Sequence, residues 1–199
     1  MRSIYFIRHC KYYNPNNIIP GRLAVELSQE GIKQANKLKQ YFKDKNIEKI
    51  YSSKVYRCQQ TSEIIADDKI NIEYDQRLLE LLSATQGGPM ITDTRKLAEY
   101  VYKNNLGGET LGDIQSRMIS CYQDIVEKKE KNIIICSHGD PLYLLYLHLF
   151  KKTAKSEQEL FNLLVTRADG KIKYPEKGSI LQVDIENGEV ITIHQILEF

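Results

Sequence analysis

No apolar run in the chain approaches the ~20 residues that a membrane-spanning helix needs. The opening segment is apolar only over residues 4–7, too short for a signal-peptide core, and Arg8 and His9 follow at once. Cysteine is scarce. Cys10, Cys58, Cys121 and Cys136 are irregularly spaced, include no Cys-x-x-Cys pair, and read as reduced thiols in a cytoplasm. A dominant charge is missing as well: 28 Lys and Arg against 26 Asp and Glu leave a net +2. That balance argues against a nucleic-acid partner and against a membrane-seeking surface. There is also no internal repeat, no low-complexity tract and no linker. The partner must therefore be sought at a local site.

What is present is an ordinary globular composition, 42% hydrophobic and 27% charged. The 199 residues suffice for one domain, 1–199, with a full hydrophobic core. Short apolar runs predict strands at residues 3–7, 48–52, 71–74 and 132–136. Helical spacing predicts helices over 28–45, 54–67, 92–103 and 109–131, and Pro141 opens another. The chain ends in a predicted hairpin, 179–185 and 190–196, turning at Asn187-Gly188. Strands alternating with helices imply an α/β fold with a mainly parallel sheet.

In such folds ligands bind beyond the carboxyl ends of the strands. Two predicted strands run into histidine there, His9 after Arg8 and His138 after Ser137. Arg57 opens the helix after the second strand, on the same rim. Two histidines and two arginines in one crevice make an oxyanion pocket, since guanidinium geometry suits phosphate oxygens. The helix after His138 adds backbone N–H groups and a positive dipole end.

Six segments then resemble, in chain order, the histidine phosphatase superfamily of phosphoglycerate mutase-like proteins. They are Arg8-His9; Gly21 with Leu27-Ser28-Gln29-Glu30-Gly31; Ser52 to Thr61 around Arg57; Arg77-Leu78-Leu79-Glu80; Gly107-Gly108-Glu109-Thr110-Leu111; and Ser137-His138-Gly139. The resemblance implies a three-layer α/β/α sandwich and a phosphohistidine formed on His9, without metal or cofactor. It further implies that Arg8, Arg57 and His138 bind phosphoryl oxygens, with Gly139, Gly21 and Asn14 at the substrate, and that Glu80 is the acid. Its partner would be a small-molecule phosphate ester.

Alternatives stand beside this reading. His9, Cys10, Cys136 and His138 could gather around zinc. Arg57 could be a solvated helix residue, and Glu109 is a second carboxylate in a matched segment. His148 and His194 read as surface or packing residues. Tyr12 and Tyr13 could line the pocket mouth, where Lys11, Arg22 and Arg95 hint at an anionic ligand. Cys10 replaces a small family residue, and a thiol there could confer sensitivity to oxidants. The short stretch from Glu80 to Gly107 favours water as final acceptor, hence a phosphatase over a phosphomutase. A silent phospho-ligand-binding module is the reading outside enzymes, and a homodimer is left open.

Overall fold

The computed structural model describes residues 1–166, 172–187 and 189–196. Its central sheet contains β1 (Arg2–Arg8), β2 (Lys49–Ser52), β3 (Asn71–Tyr74), β4 (Asn132–Ser137), β5 (Ile180–Glu186) and β6 (Glu189–Ile196). Their spatial order is β3-β2-β4-β1-β5-β6. The first four strands run parallel, and β5 with β6 completes one side as the expected antiparallel pair. Gly188 of the expected turn lies outside the described residues.

The helices are α1 (Gln29–Phe42), α2 (Tyr56–Ala66), α3 (Thr94–Lys103), α4 (Leu111–Val126), α5 (Gly139–Leu149) and α6 (Glu157–Thr166). Ser28 caps α1 by accepting from the Gly31 N–H, and Thr110 and Asp113 cap α4 reciprocally. The real helices are shorter than the apolar spacing suggested. The last unit, α6, was not expected. Its signal was nevertheless local, because Ser156 accepts from the Glu159 N–H at 3.2 Å just ahead of Leu160 and Leu164.

Side-chain alternation along the strands builds the layers. In β4, Ile133 and Ile135 enter one core while Ile134 enters the other. In β1, Ile4 and Phe6 separate from Tyr5 and Ile7 in the same way. From α1 and α2 come Ala35, Leu38, Phe42 and Ile65 over one face; from α4 and α5 come Ile114, Met118, Leu142 and Leu145 over the other. The result is a three-layer α/β/α sandwich. Burying such a side chain contributes about 1.5–3 kcal/mol, so residues 133–135 clamp both helical layers to the middle of the sheet.

That middle is what positions the chemistry. Neighbouring parallel strands β1 and β4 are in register with Arg8 opposite Ser137. Both chains leave the sheet at one edge, and the next residues are His9 and His138.

Candidate active site

His9 prolongs the ladder by one bond, its N–H donating to the Ser137 carbonyl at 3.0 Å. The two imidazole centroids are 5.2 Å apart. Arg57, in the first turn of α2, extends between them. Its Nε donates to His9 Nε2 at 3.0 Å, and its Nη2 donates to the Gly21 carbonyl at 2.9 Å and His138 Nδ1 at 3.0 Å. Glu80 Oε2 lies 3.3 Å from the same Nη2. Arg57 is 0% exposed. Breaking a buried ionic network typically costs about 3–5 kcal/mol, so Arg57 is no solvated helix residue.

These bonds assign the imidazole protons. His9 Nδ1–H donates to the Cys10 carbonyl at 2.8 Å, which leaves the lone pair on Nε2, the atom that accepts from Arg57. His138 Nδ1 likewise accepts from Arg57, so its Nε2–H donates to Ser53 Oγ at 2.8 Å. Burial, then the positive charge of Arg57, holds both rings well below the usual histidine range. Both are neutral at pH 7.

Glu80 follows a single 3-10 turn, Gln76–Leu78. Its Oε1 accepts from the Leu81 N–H at 3.0 Å, and Oε2 stands 3.6 Å from His138 Nδ1. Burial outweighs the attraction of Arg57, and Asp140 adds repulsion, so the carboxyl is raised above the ordinary glutamate range. A carboxyl raised in this way holds its proton more firmly than an ordinary glutamate and can still give it up.

Arg8, His9, Gly21, Arg57 and Glu80 line one cavity of about 600 Å³. Among the described residues, buried side-chain nitrogens without a partner include Arg8 Nε and Arg57 Nη1. An unmet buried charged donor is costly, and the oxygens of a phosphoryl group would satisfy both. His138 supports this end from behind Arg57, and Gly139 begins α5 beneath it.

Other sequence expectations fall away from the cavity. Asn14 does not reach it: its amide bonds the Ile18 carbonyl at 2.9 Å and the Ile18 N–H at 3.2 Å, closing its own loop. Tyr13 is 63% exposed, whereas Tyr12 does line the wall. Lys11 pairs with Glu30, and Arg95 with Glu99. Arg22 pairs with Glu109 and donates from Nε to the Glu80 carbonyl at 2.8 Å, bracing the loop rather than lining the cavity. Glu109 also receives Arg117 and the Leu82 N–H, so it braces the same loop. His148 and His194 are exposed.

Cys10 is fully buried, and burial, then Cys136, pushes its thiol up to about 12. An inaccessible, protonated thiol is a poor target for oxidants, which corrects the sensitivity expected of it. No three His, Cys, Asp or Glu side chains converge as metal ligands among the described residues. The zinc alternative therefore has no ligand set there.

Among the cavity residues absent from the sequence reading are Tyr102, Asp140, Tyr174 and Lys177. Asp140 could have been noticed, since it follows His138-Gly139. Tyr102, Tyr174 and Lys177 arrive from α3 and the segment before β5 by tertiary contact alone. Lys177 Nζ sits 4.6 Å from the Tyr12 ring centroid, and burial, then Arg8, lowers it to about 8.

Fold and site together define a phosphate-handling α/β protein built on two neutral histidines. A sequence profile of the histidine phosphatase superfamily (branch 1) matches residues 4–172, and the chain belongs to that family. Phosphoserine phosphatase 1 of Hydrogenobacter thermophilus is 26% identical over 161 residues, 75% of this chain and 74% of that protein. Phosphoglycerate mutase-like protein 4 of Arabidopsis thaliana is 28% identical over 178 residues, 82% of this chain and 77% of that one. In three dimensions, YhfR of Bacillus stearothermophilus aligns with a TM-score of 0.78 at 22% identity, covering 98% of this chain and 96% of its own.

Proposed function

We propose that the protein is a phosphomonoesterase that hydrolyses a small phosphorylated metabolite through a phosphohistidine on His9, without metal. The carrying observation is the His9 Nε2 lone pair, fixed by the Nδ1–H bond to the Cys10 carbonyl and lying 3.0 Å from the Arg57 guanidinium. A substrate phosphate would take over the Arg57 and Arg8 donors and bring its phosphorus to that lone pair.

In the first step Nε2 attacks phosphorus, the bond to the leaving oxygen breaks, and Glu80 protonates that oxygen. In the second, water attacks the phosphohistidine, Glu80 takes its proton, and the N–P bond breaks to release inorganic phosphate. Arg8 and Arg57 stabilise charge on the transferring oxygens, the larger share of such catalysis. The first step requires neutral His9 and protonated Glu80. The rate therefore falls on the acid side as His9 gains a proton and on the alkaline side as Glu80 loses one. The depressed histidine and raised glutamate leave mildly acidic pH between those limits. We read the whole chain, 1–199, as one domain working in a cytoplasm; no helix among the described residues is long and apolar enough to cross a membrane.

The test is p-nitrophenyl phosphate hydrolysis by wild type and His9→Ala, with and without EDTA. Turnover that survives EDTA and disappears in the variant is expected, with one phosphoryl group trapped on His9 after quenching in alkaline denaturant, where the N–P bond survives. Loss of activity in EDTA would overturn metal independence. Activity that appears only after priming with a bisphosphorylated compound would establish a phosphomutase, as the Arabidopsis relative's name suggests. Binding of phosphate esters with no turnover would indicate a silent binding module.

A further inference from the structure

Asp140 occupies the first turn of α5, where the helix dipole favours a carboxylate. Neither of its oxygens points idly into the cavity. Oδ2 accepts from the Tyr102 hydroxyl at 2.9 Å, and Oδ1 accepts from the Tyr174 hydroxyl at 2.7 Å. Tyr102 belongs to α3, and Tyr174 to the segment preceding β5. One side chain thus ties three elements that share no backbone ladder.

Tyr174 carries the tie onward to the phosphate end. Its ring lies against the Arg8 guanidinium, Cζ being 5.4 Å from the centroid. Arg8 Nη1 donates to the next residue's carbonyl, Pro175, at 2.9 Å. Gly139 makes room for this stack: a Cβ there would meet the Tyr174 hydroxyl at 2.2 Å and Arg8 Cζ at 3.1 Å. Among the described residues, the Arg8 guanidinium is held by this seat, the Tyr174 ring and the Pro175 carbonyl.

We propose that Asp140 is a positioning residue for phosphoryl transfer, seating Arg8 through Tyr174 and pinning α3 over the cavity through Tyr102. The assignment rests on the phosphatase reading and deepens it. Asp140 does not act on the substrate. It holds the arginine that does, in the geometry the transferring oxygens need.

Its charge has a second consequence, which separates this role from simple bracing. Glu80 is faced by Arg57 from α2, by Arg8 from β1, and by Arg22 at its own carbonyl. Neutral His138 and the un-ionised Tyr12, Tyr102 and Tyr174 surround it further. Asp140 is the anion in this set, and it helps to keep the Glu80 proton in place. Replacing it by a neutral isostere should let Glu80 ionise at lower pH.

The experiment compares wild type, Asp140→Asn, Tyr174→Phe and the double variant on p-nitrophenyl phosphate across pH. Asp140→Asn is expected to raise KM about tenfold or more, as displaced anchoring groups do, and to move the alkaline limb of kcat to lower pH. Tyr174→Phe keeps the ring and loses only the hydroxyl; it should raise KM without moving that limb. The double variant should match Asp140→Asn, because both changes cut the same tie. A wild-type KM in Tyr174→Phe, additive losses in the double variant, or an unmoved limb in Asp140→Asn overturns the assignment. Should Asp140→Asn not fold, the Tyr174→Phe KM decides alone. Absence of turnover by the wild type would overturn the phosphatase reading and this assignment together, whereas turnover with unaffected variants overturns only the latter.

Discussion

The two ends of the cavity are built by different means. At the phosphate end, His9 and His138 continue two paired strands, and their spacing follows from the Arg8–Ser137 register. Facing them, α3, the loop around Glu80 and the segment before β5 meet through side chains, Asp140, Glu109 and Arg22 above all. Ladder geometry tolerates little adjustment, while a side-chain tie can be remade around a different ligand. The strand-end side is therefore expected to hold the phosphoryl group, and the loop side to supply the acid and set what enters.

The sharpest test of that division is His9→Ala, expected to lower turnover by about 10⁴-fold or more, as loss of a nucleophile does; a residual rate close to wild type would break it. Glu80→Gln comes next. Loss of a general acid costs about 10²–10⁴-fold in kcat, and the alkaline limb of the pH–rate profile should vanish with the carboxyl.

Stability gives a third measure. His9 and His138 are held below the ordinary histidine value, so below about pH 6.5 the unfolded chain binds protons that the folded chain refuses. These rings then lower stability as pH falls, by up to about 1.4 kcal/mol per pH unit each. Glu80 contributes in the opposite sense, because its raised carboxyl binds a proton more readily in the folded chain. Urea titrations at pH 7 and pH 5.5 should show the loss, and His9→Asn should remove about half of the rings' share of the slope. An equal slope in both proteins would mean that the strand-end histidines are not the buried neutral pair described.

The smallest effect belongs to the loop side. Gly21 has a φ of +46°, and a Cβ there would meet the flexible Gln86 side chain at 2.6 Å. Gly21→Ala should cost about 1–3 kcal/mol of strain, read as a lowered urea midpoint. Turnover should change far less than in His9→Ala, since only the Gly21 carbonyl touches Arg57. A Gly21→Ala enzyme as inactive as His9→Ala would erase the distinction.

The same division explains what could be read before folding. Strand runs such as residues 132–136 and the histidines behind them are local patterns, and the sheet converts them into one rim without further information. Arg57 and Glu80 were reachable because short segments carry them to that rim. Asn14 was misplaced because its neighbours decide its partner: a loop amide can close on Ile18 as easily as reach a ligand. Tyr102, Tyr174 and Lys177 left no local mark, since what gives them meaning is a residue tens of positions away. The omission of α6 was of another kind. Its cap and its leucines were present in the sequence, but it follows α5 with no strand between them to mark an α/β repeat.

The hydrogen bond from His9 to the Cys10 carbonyl has a bearing on mutational tolerance. The imidazole is oriented by backbone, so no substitution at position 10 can delete its acceptor. Evolution can exchange the side chain there for any other small one while the tautomer persists. A cysteine beside His9 then needs no chemical purpose: it fills space against Thr61 and Cys136, and the carbonyl does the orienting.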